Sequence, residues 1–231
     1  MRDAVAGDLA ETLDLAPPSD LDPNVQFLVR SGLSLVPLPA SRREVEAIGR
    51  LFAPSATIYV GANATEARAK AVGTGARIVH FAVHGVLTPR FPLNSGLALT
   101  IPEKRQEGAD NGLLQAWEVF ERMRLDADLV TLSACESALG AEIGSEGLFG
   151  LTRAFEYAGA RSVLASLWKV GDEATLELMT RFYANLKAGQ PKDEALRNAQ
   201  LTLIRASENG LPARLALPVH WAAFQLDGDW R

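Results

Sequence analysis

Two residues of this chain, Cys135 and His84, combine types and spacing that could perform covalent chemistry. Cys135 is the only cysteine among the 231 residues, and it ends the apolar segment 128–134. His84 ends a second apolar segment, 78–83, and lies 51 residues earlier. An imidazole that takes the proton of a thiol produces a nucleophile that can attack an amide carbonyl. The pair therefore predicts a cysteine peptidase in which Cys135 is the nucleophile and His84 the general base.

The residues beside this pair could supply the oxyanion donors that amide hydrolysis needs. Gly85 follows His84 directly, and a glycine permits close approach of a substrate carbonyl to its backbone N–H. The backbone N–H of Cys135 is the second candidate donor. The spacing also fits the caspase pattern, in which a histidine precedes a Gln-Ala-Cys element by about 50 residues. Here the Ala-Cys core of that element matches, but the residues on either side of it do not.

Each of these residues also has an ordinary structural explanation. A lone cysteine on an apolar strand is most often a small core side chain. The two other histidines, His80 within segment 78–83 and His220 before the last predicted strand, are interpreted as structural. For His220 a role in assisting the dyad is the alternative. No phosphate-binding loop, His-Glu-x-x-His or Cys-x-x-Cys motif is present, so we predict no metal and no cofactor.

The elements that must position the pair follow from hydrophobic periodicity. Predicted strands (56–60, 77–83, 96–100, 128–133, 161–168 and 221–226) alternate with predicted helices (65–71, 115–122, 148–158, 172–188 and 191–206). That alternation predicts an α/β fold with a mostly parallel central sheet and helices on both faces. A further helix is predicted from Ser41, with Glu44 completing a capping box. Because ligands bind at the carboxyl ends of strands in such sheets, His84 and Cys135 are well placed.

Composition limits the classes of partner and compartment. The chain carries 23 basic and 28 acidic side chains, a net charge of −5, with no extended basic run. Nucleic acid and anionic membranes are therefore not expected as partners. One cysteine cannot form an internal disulfide, and no apolar run is long enough to span a bilayer, so we expect a cytoplasmic protein.

The chain divides into two predicted regions. Residues 1–36 are weakly patterned and predict a poorly defined arm with a candidate hairpin. Residues 37–231 contain the alternating strands and helices and predict the folded domain.

The ordered set of motifs resembles the CHAT family of caspase-like proteins. The resemblance covers about residues 37–230 and rests on LPASRREV (38–45), GANATE (61–66), HFAVHG (80–85), DLVTLSACE (128–136), GLFGL (147–151), GARSVLASLW (159–168) and WAAF (221–224). It implies a caspase-type three-layer sandwich and a His84/Cys135 dyad that cleaves a protein substrate. It also implies latency until a trigger arrives, with a tetratricopeptide-repeat module or another sensor as partner. The Gly-rich stretch 140–147 is the segment that we expect a trigger to order.

The resemblance departs from the family pattern at the substrate pocket. Related proteases that prefer a basic side chain carry an acidic residue two positions before the cysteine, where this chain has Ser133. Trp168 and Asp172 are further candidates for the pocket. Asp172 and Glu173 have a second explanation, since acidic residues favour the first turn of a helix; for Asp172 this is the commoner case.

Three hypotheses follow from the sequence. The first is a caspase-like cysteine endopeptidase that acts on a protein partner. The second is a catalytically inactive interaction module that keeps the same fold. The third is a small-molecule enzyme on a generic doubly wound sheet, which would require a phosphate loop that the sequence lacks.

Overall fold

The computed structural model describes residues 2–7, 38–88, 91–102, 110–133, 135–136 and 145–231. In these ranges the strands are β1 (Arg2–Gly7), β2 (Ala56–Val60), β3 (Ala76–Ala82), β4 (His84–Val86), β5 (Gly96–Ala98), β6 (Leu113–Gln115), β7 (Leu129–Leu132), β8 (Cys135–Glu136), β9 (Ser162–Ser166) and β10 (Phe224–Gly228). The α-helices are α1 (Pro39–Leu51), α2 (Glu66–Lys70), α3 (Ala116–Arg122), α4 (Ser145–Ala158), α5 (Asp172–Lys187), α6 (Lys192–Ile204) and α7 (Pro218–Trp221).

These strands form two sheets. The larger has six strands in the order β10-β9-β7-β3-β1-β2, and every neighbouring pair is parallel except β10 with β9. The smaller has four strands in the order β6-β5-β4-β8. The α/β class and the mostly parallel central sheet are therefore confirmed.

Helices cover both faces of the larger sheet and make three layers. Helices α1, α5 and α6 share one apolar core with one face, while α3, α4 and the small sheet share a second core with the other face. Side chains of β3 alternate as strand geometry requires. Val79 and Phe81 belong to the α3/α4 core, and Ala82 belongs to the α1/α5 core.

The two strands that lead to the predicted dyad each end before it. The sequence predicted strands over 77–83 and 128–133 that run up to the site. In the structure β3 ends at Ala82, the backbone bends at Val83, and the chain enters the smaller sheet as β4. Likewise β7 ends at Leu132, and β8 belongs to the smaller sheet. A change of sheet is invisible to periodicity, because both segments remain extended and apolar.

Two other predictions differ from the structure near the amino terminus. Residues 1–36 were assigned to an arm, but β1 lies inside the larger sheet, between β3 and β2. The candidate hairpin at 27–36 lies outside the described residues, so the boundary at 37 stays a prediction. The capping box is wrong: α1 starts at Pro39, Ser41 donates its hydroxyl to Leu38 O (2.7 Å), and Glu44 turns into the core.

Candidate active site

The backbone brings His84 and Cys135 together at the junction of the two sheets. Strands β4 and β8 are parallel neighbours, and their register pairs His84 directly with Cys135 and Gly85 with Glu136. Neighbouring strands lie about 4.8 Å apart, so the two residues are adjacent across the ladder. Two residues 51 positions apart in sequence are thus direct neighbours across the ladder.

His84 lies in a charged environment although its side chain is only 5% exposed. The structure places it close enough to Asp172 for their charges to interact, and this interaction favours the ionised carboxylate. Asp172 is the first residue of α5, so its position also follows the acidic first-turn pattern. The imidazole of His84 therefore has a carboxyl group nearby on the α5 side.

The pKa of Asp172 is raised above its ordinary value, chiefly because the carboxyl group is partly buried. A hydrogen bond from the backbone N–H of Ala40 opposes this rise, Glu44 adds to it, and the charges of His84 and Lys169 again lower the pKa. Glu173, in contrast, is exposed and pairs with Arg43 at 2.5 Å. Only Asp172 of the two acidic residues faces the site.

Ser133 and Trp168, the other two pocket candidates, follow neighbouring strands. Strand β7 pairs with β9 in parallel with Leu132 opposite Ala165, so both candidates come after the carboxyl ends of paired strands. The Ser133 hydroxyl is buried and has no hydrogen-bond partner among the described residues. Trp168 is half-buried, and its indole N–H donates to Val219 O at 3.0 Å. The tryptophan is thus anchored to α7.

Gly85, the first oxyanion candidate, is the middle residue of β4. It is paired on one side with Leu97 of β5 and on the other with Glu136 of β8. Its N–H therefore lies in the plane of the small sheet. Its role as an oxyanion donor, with the N–H of Cys135, stays a prediction.

A buried polar network that the sequence analysis missed lies behind the site on β3. His80 Nε2 is 2.7 Å from Glu44 Oε1, and His80 Nδ1 is 3.0 Å from Tyr183 Oη. Tyr183 in turn donates to Thr131 Oγ1 at 2.7 Å. His80, Tyr183 and Thr131 are fully buried and Glu44 is 2% exposed. The structural role predicted for His80 agrees with this arrangement.

The sequence did contain a signal for Glu44. It lies four residues before Ile48 and seven before Leu51, which places it on the apolar stripe of α1. A carboxylate on such a stripe must find a buried partner.

His220, the third histidine, lies in α7; its Nδ1 is buried and has no hydrogen-bond partner in the described part of the chain.

The Gly-rich stretch 140–147 falls largely outside the described residues, and only 145–147 are seen, as the first residues of α4. Gly147 packs so closely on the loop after β4 that an added Cβ would lie 2.7 Å from Ser95 Oγ and 3.3 Å from Leu87 Cβ. The start of α4 is therefore fixed against that loop.

Three acidic side chains at α2 share one lysine. Glu66, Asp110 and Glu118 lie close enough together to resemble a cation site. Lys70 Nζ, however, donates to all three of them, including Asp110 at 2.8 Å and Glu118 at 2.7 Å. Burial raises the pKa of Glu66 to about 7, against the lowering effect of Lys70. The lysine supplies the positive charge here.

Comparison with known proteins settles the family. The model of the CHAT domain matches residues 5–229, which is most of the chain. The chain belongs to the CHAT domain family. The match begins inside β1, in agreement with the position of that strand in the sheet.

Curated relatives of this CHAT domain are much longer proteins. The chain is 31% identical over 221 residues to tetratricopeptide repeat protein 28 of Homo sapiens, and 30% identical to that of Mus musculus. These matches cover 84% of this chain but only 8% and 9% of the relatives. The CHAT domain therefore spans less than a tenth of the curated proteins that it matches.

Solved structures similar to the CHAT domain include that of a cysteine proteinase. The structure of the Arg-specific cysteine proteinase gingipain R matches with a TM-score of 0.53 at 10% identity, covering 99% of this chain and 46% of that one. A complex of the pro- and mature domains of RgpB from Porphyromonas gingivalis matches with a TM-score of 0.52, also at 10% identity, covering 99% of this chain and 47% of that one. At this identity the likeness shows the fold, which is the caspase-like sandwich predicted.

Within the described ranges, the helices are too short or too polar to cross a bilayer.

Proposed function

We propose that this CHAT domain is a cysteine endopeptidase that uses Cys135 as nucleophile and His84 as general base. The observation that carries the proposal is the register of the small sheet, which pairs these two residues across adjacent parallel strands. Placing the single cysteine beside a histidine on the neighbouring strand supports thiol catalysis, which needs a nucleophile and a base close together. Membership of a caspase-like fold supports the same role.

The reaction would run through a thioester. The imidazole of His84 takes the Cys135 proton, the sulfur attacks the scissile carbonyl, and the C–N bond breaks as His84 returns that proton to the leaving amine. Water, deprotonated by the same imidazole, then hydrolyses the thioester and releases the carboxylate. The N–H groups of Gly85 and Cys135 would stabilise the oxyanion at both addition steps.

The proposal places the side chain next to the scissile bond against Ser133, Trp168 and Asp172. Support comes from the buried Ser133 hydroxyl that lacks a partner in the described structure, and from the half-buried Asp172 beside His84. A hydroxyl and a carboxylate favour a substrate side chain that donates hydrogen bonds. Asp172 is the first residue of α5 whether it contacts a substrate side chain or only stabilises the helix.

The substrate class that we propose is a protein, with a tetratricopeptide-repeat segment as regulatory partner. Both curated relatives are named for such repeats, and the CHAT domain accounts for only a small part of each. The same naming favours a second candidate function, a CHAT-fold interaction module without catalysis. Thiol reactivity separates the two.

Alkylation of the single cysteine tests the proposal directly. Wild-type chain is treated with iodoacetamide between pH 5.5 and 8.5, and intact-mass measurement follows Cys135 alone because no other thiol is present. An activated thiolate should react faster than glutathione below pH 7, where an ordinary thiol is only a few per cent ionised. A pH profile identical to that of glutathione would favour the interaction module.

Cleavage provides the second half of the test. A library of peptides prepared from a digested proteome is incubated with wild type, Cys135→Ala and alkylated wild type, and new termini are read by mass spectrometry. We expect cleavage products in the untreated wild-type sample and in neither of the other two. Products that persist in the Cys135→Ala sample, with its melting temperature unchanged, would remove the thiol from the reaction.

A further inference from the structure

A deep cleft opens at the edge of the larger sheet opposite the dyad. Its volume is about 610 Å³, and it is lined by the first residues of β3 and β7, the residue preceding β9, and the junction of α5 and α6. Arg77 lies in this cleft, near the start of β3 and seven residues before His84. At about 3.3 Å per residue the two edges are roughly 20 Å apart, so this cleft is separate from the dyad.

The cleft is positively charged although the chain as a whole is acidic. It is lined by five cationic side chains and two carboxylates. The cations are Arg77, Arg161, Lys187, Lys192 and Arg231, and the carboxylates are Asp128 and Asp229. An excess of three positive charges therefore lines one cavity in a protein of net charge −5.

The two carboxylates are already shared among the arginines. Asp128 pairs with Arg77 and lies 3.6 Å from Arg161, while Asp229 lies 3.3 Å from Arg231. They cannot neutralise the two lysines as well.

Among the described residues, neither lysine of the cleft has a carboxylate oxygen within 4 Å of its ammonium group. Lys192 is 8% exposed, and its ammonium donates to the carbonyl oxygen of Asp229 at 2.7 Å, which uses one of three donors. Lys187 lies over the ring of Phe52, with its Nζ 5.4 Å from the ring centroid. Burial lowers the pKa of Lys192, and Arg161, Arg231 and Arg77 lower it further against the attraction of Asp229. An anion in the cleft would relieve this repulsion.

Four apolar side chains and two uncharged polar ones, Ser55 and Gln190, form the rest of the wall. Phe52, Ile78, Leu129 and Leu186 lie between the cationic groups. A cavity of several hundred cubic ångströms with an apolar wall and a few convergent charges is the usual form of a small-molecule site. An inorganic ion would leave the apolar part of this wall without a partner.

We propose that this cleft binds a small organic polyphosphate, such as a nucleoside di- or triphosphate, at a site distinct from the dyad. The phosphates would contact the guanidinium forks and the two ammonium groups, which match phosphate oxygens in charge and geometry. The organic body would pack on the apolar wall around Phe52. The excess of three positive charges matches the charge of such a ligand.

Calorimetric titration of the full chain with ATP tests the proposal, with inorganic tripolyphosphate and citrate as comparison probes. ATP should bind more tightly than either: tripolyphosphate lacks the organic body and citrate lacks phosphate. Lys187→Glu should weaken ATP binding about tenfold or more, because it replaces a charge-assisted contact with repulsion. Arg197→Glu is the matched control, since it makes the same change of charge at an exposed α6 position outside the cleft lining.

Three outcomes would overturn the proposal. They are absence of ATP binding at millimolar concentration, equal weakening by Arg197→Glu and Lys187→Glu, and binding of citrate as tight as that of ATP. A fall in ATP affinity with rising salt accompanies the expected result, because the contacts are ionic. The readout is binding, so it does not depend on whether the dyad is active.

Discussion

Two histidines four residues apart on one chain segment lie in contrasting surroundings. His80 lies in the larger sheet, fully buried, with both ring nitrogens within hydrogen-bond distance of Glu44 and Tyr183. His84 lies in the smaller sheet, in register with Cys135 and beside the carboxyl group of Asp172. The first is part of the scaffold, and the second belongs to the proposed dyad.

The difference arises from the bend at Val83. Before it, β3 has neighbours on both sides and helices on both faces, so every polar group must be satisfied within the protein. After it, β4 and β8 are strands of three and two residues in a separate small sheet. A long sheet thus supports the short strands that contain the proposed dyad, in the way that a rigid scaffold commonly positions catalytic residues.

The largest effect that we expect comes from removing the ring of His84. His84→Ala should slow peptide cleavage about a hundredfold to ten-thousandfold, the usual loss when a general base is removed. Cleavage of a library-derived peptide gives the rate. His220→Ala is the control, since it removes the same ring from outside the site, and it should leave the rate unchanged. Equal losses in both variants would contradict the assignment of His84.

Removing the ring of His80 should affect stability instead. His80→Leu leaves the carboxyl group of Glu44 buried without its partner, and breaking a buried pair in this way costs about 3–5 kcal/mol. Guanidinium unfolding of wild type and variant measures this cost.

A double variant makes the His80 experiment sharper. Replacing both members, in His80→Leu with Glu44→Leu, should recover much of the loss because no polar group is then stranded. The alkylation rate of Cys135 in the stable double variant should remain that of wild type. The two side chains would not act as a pair if the double variant lost as much unfolding free energy as the two single variants together, or more.

The smallest effect concerns Glu66, which extends the comparison to a third buried titratable group. Burial raises its pKa from 4.5 to about 7, so the folded protein retains this proton at pH values where the unfolded chain has lost it. Its contribution to stability is therefore complete below pH 4.5 and is lost as the pH rises through about 7. Glu66→Gln should flatten this decline, as measured by denaturant unfolding at pH 5 and pH 8. An identical decline in both proteins would contradict the assignment.

The sequence predicted the alternation of strands and helices well because that information is local. The apolar stripe of α5, the buried character of β9 and the helical run of α6 can each be read within a window of fifteen residues. Strand β1 was missed because its six residues, Arg2–Gly7, have no strong apolar pattern. It is a strand because β2 and β3 pair with it, and both are distant in sequence.

The residues of the predicted dyad were likewise accessible from sequence, since a single cysteine and a histidine each end an apolar segment. The network of His80, Glu44, Tyr183 and Thr131 was not, because its members come from four elements. The cationic cleft was missed for the same reason. Its lysines and arginines extend from residue 77 to residue 231, and none of them belongs to a basic run.

The sequence by itself determined the fold class, the identity of the only thiol and the small set of histidines that are candidates for its general base. The tertiary structure decided which histidine lies in register with Cys135, because strand register is a non-local property that depends on pairing between distant segments. It also decided where charge accumulates. The cations of the cleft converge only when the starts of two strands and the junction of two helices meet at one edge of the sheet.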